Sequence, residues 1–142
     1  HKQSHEVRFK HGLPAASKPW TARPAVGLRG VPRTERVLDN LDTCFAYAMS
    51  KAPGKKYAEA VKNLYCNISQ AVGRLPVSHT MPTPGTRTML YSLEYDTVVS
   101  GKATMQLLGW PDNLVTRDLF SDCDYRQLGG MGFSVPISGT FM

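Results

Sequence analysis

Apolar residues recur at helical spacing over most of the chain and alternate in one short stretch. Val37, Leu38, Leu41, Phe45, Ala48 and Met49 fall every three or four residues, which predicts an amphipathic helix from Glu35 to Ser50. Thr34 would be its N-cap, and Pro53-Gly54 would end it. Tyr57, Ala60, Val61, Leu64, Ile68 and Ala71 repeat the pattern and predict a second helix from Lys55 to Val72, closed by Gly73. With so short a link, the two helices would form an antiparallel pair with their stripes face to face. Residues 75–87 carry Pro76, Pro82, Pro84 and Gly85 and read as a loop, and Met89 to Tyr95 alternates as a short strand. Ser100 caps a third helix bearing Ala103, Met105, Leu107 and Leu108, ended by Gly109 and Trp110-Pro111. Trp110 should pack into the core with a partner for its indole N–H. A fourth helix, Asp122 to Leu128, leads into a glycine-rich turn, Gly129-Gly130-Met131-Gly132.

The first 32 residues lack this periodicity. Pro14, Pro19, Pro24 and Pro32 recur among Lys2, Arg8, Lys10, Lys18, Arg23 and Arg29, and proline at that spacing interrupts helix and central strand alike. The expectation is an extended basic arm, residues 1–32, that lies along a partner through Phe9, Trp20, Arg23 and Arg29, or without a partner is a solvated, partly disordered terminus. Residues 33–142 then form a small helix-rich domain. The fold class is mainly α with a minor β element (α+β).

Composition narrows the function more than the fold. At 142 residues, with 42% apolar and 20% charged, the chain suffices for one modest core. The formal charge of +6 favours polyanionic or acidic partners, with Lys51, Lys55, Lys56 and Lys62 as a basic cluster that reads first as a solvated face. No apolar run approaches the roughly 18 residues of a membrane helix, so no span is expected. Cys44, Cys66 and Cys123 contain no Cys-x-x-Cys pair, which argues against a disulfide framework and a zinc site. Cys44 and Cys66 read as buried free thiols within helices. Asn67-Ile68-Ser69 matches the glycosylation pattern but falls inside the expected second helix. His79 has no ligand partners at useful spacing, and Asp118, Asp122 and Asp124 read as helix capping. Numbering opens at His1, so either a leader has been removed or this is a piece of a longer chain.

Lys102-Ala103-Thr104-Met105-Gln106-Leu107-Leu108-Gly109-Trp110-Pro111-Asp112 and Gln127-Leu128-Gly129-Gly130-Met131-Gly132-Phe133-Ser134-Val135-Pro136 follow one another in an uncommon order. With the Tyr91-Ser92-Leu93-Glu94-Tyr95-Asp96 stretch before them, they resemble the last two motifs of DNA cytosine-5 methyltransferases. In that family the first motif supports the target-recognition region and the second helps to wall the S-adenosylmethionine pocket. The resemblance therefore makes Gly129, Gly130, Ser134 and Val135 vestigial cofactor-site candidates. The family's Phe-x-Gly-x-Gly turn, Pro-Cys loop and Glu-Asn-Val triplet do not occur in this chain. Ala103 and Leu108 occupy polar motif positions, and Met131 stands near the place of the expected asparagine.

Methylation needs a thiolate nucleophile and a cofactor turn after a strand, and no other catalytic set emerges. The expectation is no enzyme, no cofactor and no metal, but a structural or docking subunit of a larger assembly derived from a methyltransferase-like domain. Two alternatives stand beside it: a nucleic-acid-binding fragment of a split methyltransferase, and an accessory subunit of a plastid or mitochondrial complex. The compartment is left open between organelle and nucleus.

Overall fold

The computed structural model describes residues 2–14, 16–71, 77–115 and 119–131. They divide into two compact units: residues 1–81 with 90–98, and residues 82–89 with 99–142. Helices and a small antiparallel sheet make up the chain, the α+β class expected.

The first unit is built on α2, Glu35–Lys51, which buries Val37, Leu41, Cys44, Phe45 and Ala48 along one stripe. Thr34 stands at its N-cap with extended backbone, and its carbonyl accepts from Val37 and Leu38. The segment expected as an extended arm is folded instead. Lys2–Lys10 form α1, and turns at Pro14-Ser17 and Trp20-Arg23-Val26 carry the chain back to α2. Tertiary acceptors on α2 explain the difference. Asp39 takes the Arg8 guanidinium, whose Nη1 also donates to the Ser17 carbonyl at 2.6 Å. Asp42 accepts the backbone N–H groups of Trp20 (2.9 Å) and Thr21 (2.8 Å) and the Thr21 hydroxyl (2.7 Å). A buried carboxylate so fully bonded holds a proline-interrupted segment that periodicity cannot place.

The second helix is also shorter than expected. α3 is only Tyr57–Ala60, and Tyr65–Asn67 form strand β1. Residues spaced by four, such as Ala60, Leu64 and Ile68, satisfy a helical and an alternating period equally. The deciding positions are Cys66, buried between half-exposed Tyr65 and Asn67, and Asn63, whose φ of 53° breaks the helix. Asparagine tolerates that left-handed conformation, and its N–H donates to Glu94 Oε2 at 2.8 Å. The expected antiparallel pair of long helices is thus not formed by the described residues; the closing glycine, Gly73, lies outside them. Asn67 ends a strand, with its Oδ1 accepting from Ser69 in a turn, not within a helix.

β1 is central in the order β2-β1-β3-β4, all antiparallel, where β2 is Val77–Ser78, β3 Leu90–Ser92 and β4 Thr97–Val98. The expected strand at residues 89–95 is therefore present in its first half, and the expected loop contributes β2. Cys66 faces Tyr91 in register on one side and Val77 on the other. Leu41, Cys44, Leu64, Cys66, Ile68, Tyr91 and Leu93, with Asp42 among them, are fully buried in this unit.

In the second unit α4, Gly101–Leu107, starts as expected: the Ser100 hydroxyl accepts from Ala103 N–H at 3.1 Å. It ends in a Schellman motif, with Gly109 (φ 82°) donating to the Gln106 carbonyl and Trp110 to that of Met105. Met105, Val115 and Tyr125 form the core, with Trp110 packed against them. Val115 ends the short α5, Asp112–Val115. α6, Asp122–Met131, opens with a reciprocal cap between Ser121 and Asp124.

Gly101 lies against Tyr125 and Arg126, and Gly129 against Thr104 and Leu108, so α4 and α6 run side by side in the same direction. At Gly101 an added Cβ would fall 2.6 Å from that of Tyr125; at Gly130 it would strike the backbone of Gly85 and Thr86. Alanine normally favours a helix interior over glycine by about 1 kcal/mol. Here Gly130→Ala is expected to destabilise the chain by about 1–3 kcal/mol through overpacking, read as a lower urea midpoint. Asp42→Ala should cost about 3 kcal/mol in the same assay, because it leaves the N–H groups of Trp20 and Thr21 without their acceptor.

Candidate functional site

The four residues expected to bind a partner occupy four different settings. Phe9 is on α1 and 88% exposed. Trp20 is 3% exposed and belongs to the core, tilted against Phe45 with ring centroids 5.2 Å apart. It is not an aromatic presented on an arm, because its indole N–H is satisfied inside, donating to the Tyr91 hydroxyl at 3.1 Å. Arg29 lies at the surface but is committed to the β3–β4 turn, donating to the carbonyls of Tyr95 (2.6 Å) and Asp96 (3.2 Å). Arg23 stacks its guanidinium 4.0 Å from the Tyr57 ring and 5.7 Å from that of Phe45.

Another cation–aromatic cluster gathers at the C-terminal end of α2, with His11 just after α1. The Lys51 ammonium lies 5.5 Å from the Tyr47 ring, and His11 meets the same ring edge-on at 5.7 Å. Partial burial, reinforced by the neighbouring Lys10 charge, lowers the His11 pKa, which keeps the imidazole neutral near pH 7. Lys55 and Lys56 precede α3, and both are exposed. Sequence reasoning found the cations but not the rings they meet: Tyr57 read only as a helix position, and Tyr47 carried no signal.

The charge is unevenly divided. The first unit's residues include thirteen Lys and Arg against seven Asp and Glu, the whole excess of +6, whereas the second has four of each.

Of the vestigial cofactor candidates, Gly129 and Gly130 are inside α6, not in a turn, and their missing side chains make room for Thr104 and for the Gly85-Thr86 backbone. Close packing accounts for both. Ser134 and Val135 lie outside the described residues. The Trp110 indole N–H, for which a partner was expected, has none among the described residues. The second unit instead exposes apolar side chains: Leu107 (63%) at the end of α4, Leu128 and Met131 (65%) at the matching end of α6, and Leu119 and Phe120 before α6.

Among the described residues no group of three or more His, Cys, Asp or Glu could hold a metal, and no helix is long and apolar enough to cross a membrane. Two thiols meet in the first unit: Cys44 and Cys66 hydrogen-bond at 3.1 Å, both buried as the sequence implied, although Cys66 is on a strand. Their contact and their burial raise the Cys44 pKa well above its usual value, so that thiol rests neutral. No family model matches the chain, and comparison with curated proteins and with solved structures gives no match.

Tyr91 connects the polar groups of the first unit. Its hydroxyl accepts from Trp20 and donates to Asp96 Oδ1 at 2.5 Å, and Asp96 in turn accepts the N–H groups of Gly27 and Leu28. Burial, then the Asp96 bond, pushes the phenol pKa well above its usual value. A raised folded-state pKa stabilises the fold fully below the unfolded value near 10 and loses that contribution as pH rises beyond it. Stability is therefore expected to fall above about pH 10 more steeply in the natural chain than in Tyr91→Phe, by up to about 1.4 kcal/mol per pH unit. Denaturant titrations across pH 8–11 on both proteins measure the difference.

Proposed function

We propose that the chain is a non-catalytic docking subunit of a larger protein assembly, and that the second unit holds its partner. The observation that carries this reading is the set of exposed apolar side chains, Leu107, Leu128 and Met131, at one end of the α4–α6 pair in a unit without net charge. Apolar side chains grouped in this way mark interaction surfaces. The polar groups that could do chemistry in the first unit support the same reading from the other side. Asp42, Asp96, Tyr91 and Arg8 are all engaged in bonds that hold loops in place. The likeness of residues 91–136 to the last two cytosine-5 methyltransferase motifs supports descent from such a domain, with glycine and apolar positions kept for packing and polar ones replaced.

One observation favours a second reading, nucleic-acid binding by the first unit: all of the excess positive charge lies there, beside the stacked Arg23 and Tyr57. Its affinity for duplex DNA would fall linearly with log salt, at a slope of about −0.9 per phosphate neutralised.

Gentle purification of the chain from its source, in its natural form and as Leu128→Glu/Met131→Glu, separates the readings. The docking reading expects a stoichiometric protein partner with the natural chain and loss of that partner, by tenfold or more, from a variant with unchanged circular dichroism and melting temperature. A lone monomer, or equal recovery by both, would overturn it. Nucleic acid retained at low salt by both proteins, with no protein partner, would support the second reading.

A further inference from the structure

We propose that Cys44 and Cys66 are a disulfide-forming pair that fastens α2 to β1 when the chain folds in the presence of a low-molecular-weight disulfide such as oxidised glutathione. The two sulfurs are 3.1 Å apart, one on the buried stripe of the longest helix and the other in the central strand of the sheet. A bond requires about 2.0 Å, so closing the gap takes about 1 Å of travel shared between two side chains. The positions are 22 residues apart in sequence, and the link would enclose α3 and the left-handed turn at Asn63. Fixing a loop of that length removes conformational freedom from the unfolded chain, the main source of a disulfide's stabilising effect in the chain-entropy account.

The chemistry balances with the named oxidant. One cysteine thiolate attacks a sulfur of the small disulfide, forms a mixed disulfide and releases one small thiol. The second cysteine, deprotonated, attacks the protein sulfur of that mixed disulfide, forms the Cys44–Cys66 bond and expels the second small thiol. Two electrons pass from the pair to the oxidant, and the two protons end on the released thiols. Burial sets when this happens. Both side chains are inaccessible in the closed fold, and their contact disfavours the Cys44 thiolate, so exchange proceeds while β1 is apart from α2 and is slow once the unit has closed. Cys123, exposed in the first turn of α6, supplies a reference thiol in the same molecule.

The test uses the full chain, with Cys123→Ser as a companion. Each is refolded with reduced and oxidised glutathione, quenched in acid, denatured, alkylated and weighed intact. The expected result is one alkylated cysteine in the natural chain and none in the companion, with each chain about 2 Da lighter from the two hydrogens lost. A Cys44–Cys66 cross-linked peptide should be recovered, and the melting temperature should exceed that of the reduced protein by roughly 5–15 °C. Three alkylated cysteines after oxidation, a bond involving Cys123, or a Cys44–Cys66 bond that leaves the melting temperature unchanged or lowered would each overturn the proposal.

Discussion

Trp20 holds the first unit together by being bound at both ends. Its backbone N–H points at a carboxylate on α2, and its indole N–H points at a phenol on β3. Between those bonds its rings fill space against Phe45. Each bond alone is worth only about 1 kcal/mol net, but a buried polar group that loses its partner costs more than the bond contributed. The arrangement therefore resists partial dismantling. Displacing Trp20 would take one bond from Asp42 and one from Tyr91 together, and through Tyr91 would loosen Asp96 and the residues it ties down, including Leu28, which is held at a φ of 52°. A segment with little regular structure thus has one position on the helix.

The second unit solves its packing differently. Its helices approach until backbone meets side chain at Gly101 and Gly129, beside a core that among the described residues is Met105, Val115 and Tyr125 with Trp110. Leu107, Leu119, Phe120 and Met131 stay outside that core and are exposed. That geometry connects the glycines to the proposed function: the close seam places the backbones together and the leucines and methionine outside. The neutral charge balance of this unit adds no electrostatic obstacle to an apolar partner.

The sequence made the elements legible where one local signal sufficed. α2 has a long stripe with turn formers after it, and α4 has a serine cap and a glycine end, so both stood out within a residue or two. The ambiguity at residues 60–68 came from a spacing common to two periods, resolved only by pairing with strand β3. The N-terminal segment was missed for a different reason. Its order depends on Asp39, Asp42 and Asp96, acceptors up to 69 positions away in the chain, and no local window contains them. Composition gave the basic charge but not its confinement to one unit. The glycines of α6 looked like a turn because their partners, Thr104 and the Gly85-Thr86 backbone, are equally remote.

The sheet has a consequence for how the chain is made. β3 and β4 complete the first unit, yet residues 82–89, which precede them, belong to the second. The chain therefore crosses between units three times, and no single cut separates two intact pieces. During synthesis from the N-terminus, α1 and α2 emerge long before Tyr91 and Asp96, so Trp20 waits without its indole acceptor until residue 91 has left the ribosome. A nascent chain halted before that point would expose a tryptophan and two half-paired strand edges, the features that folding factors recognise and that drive misassociation.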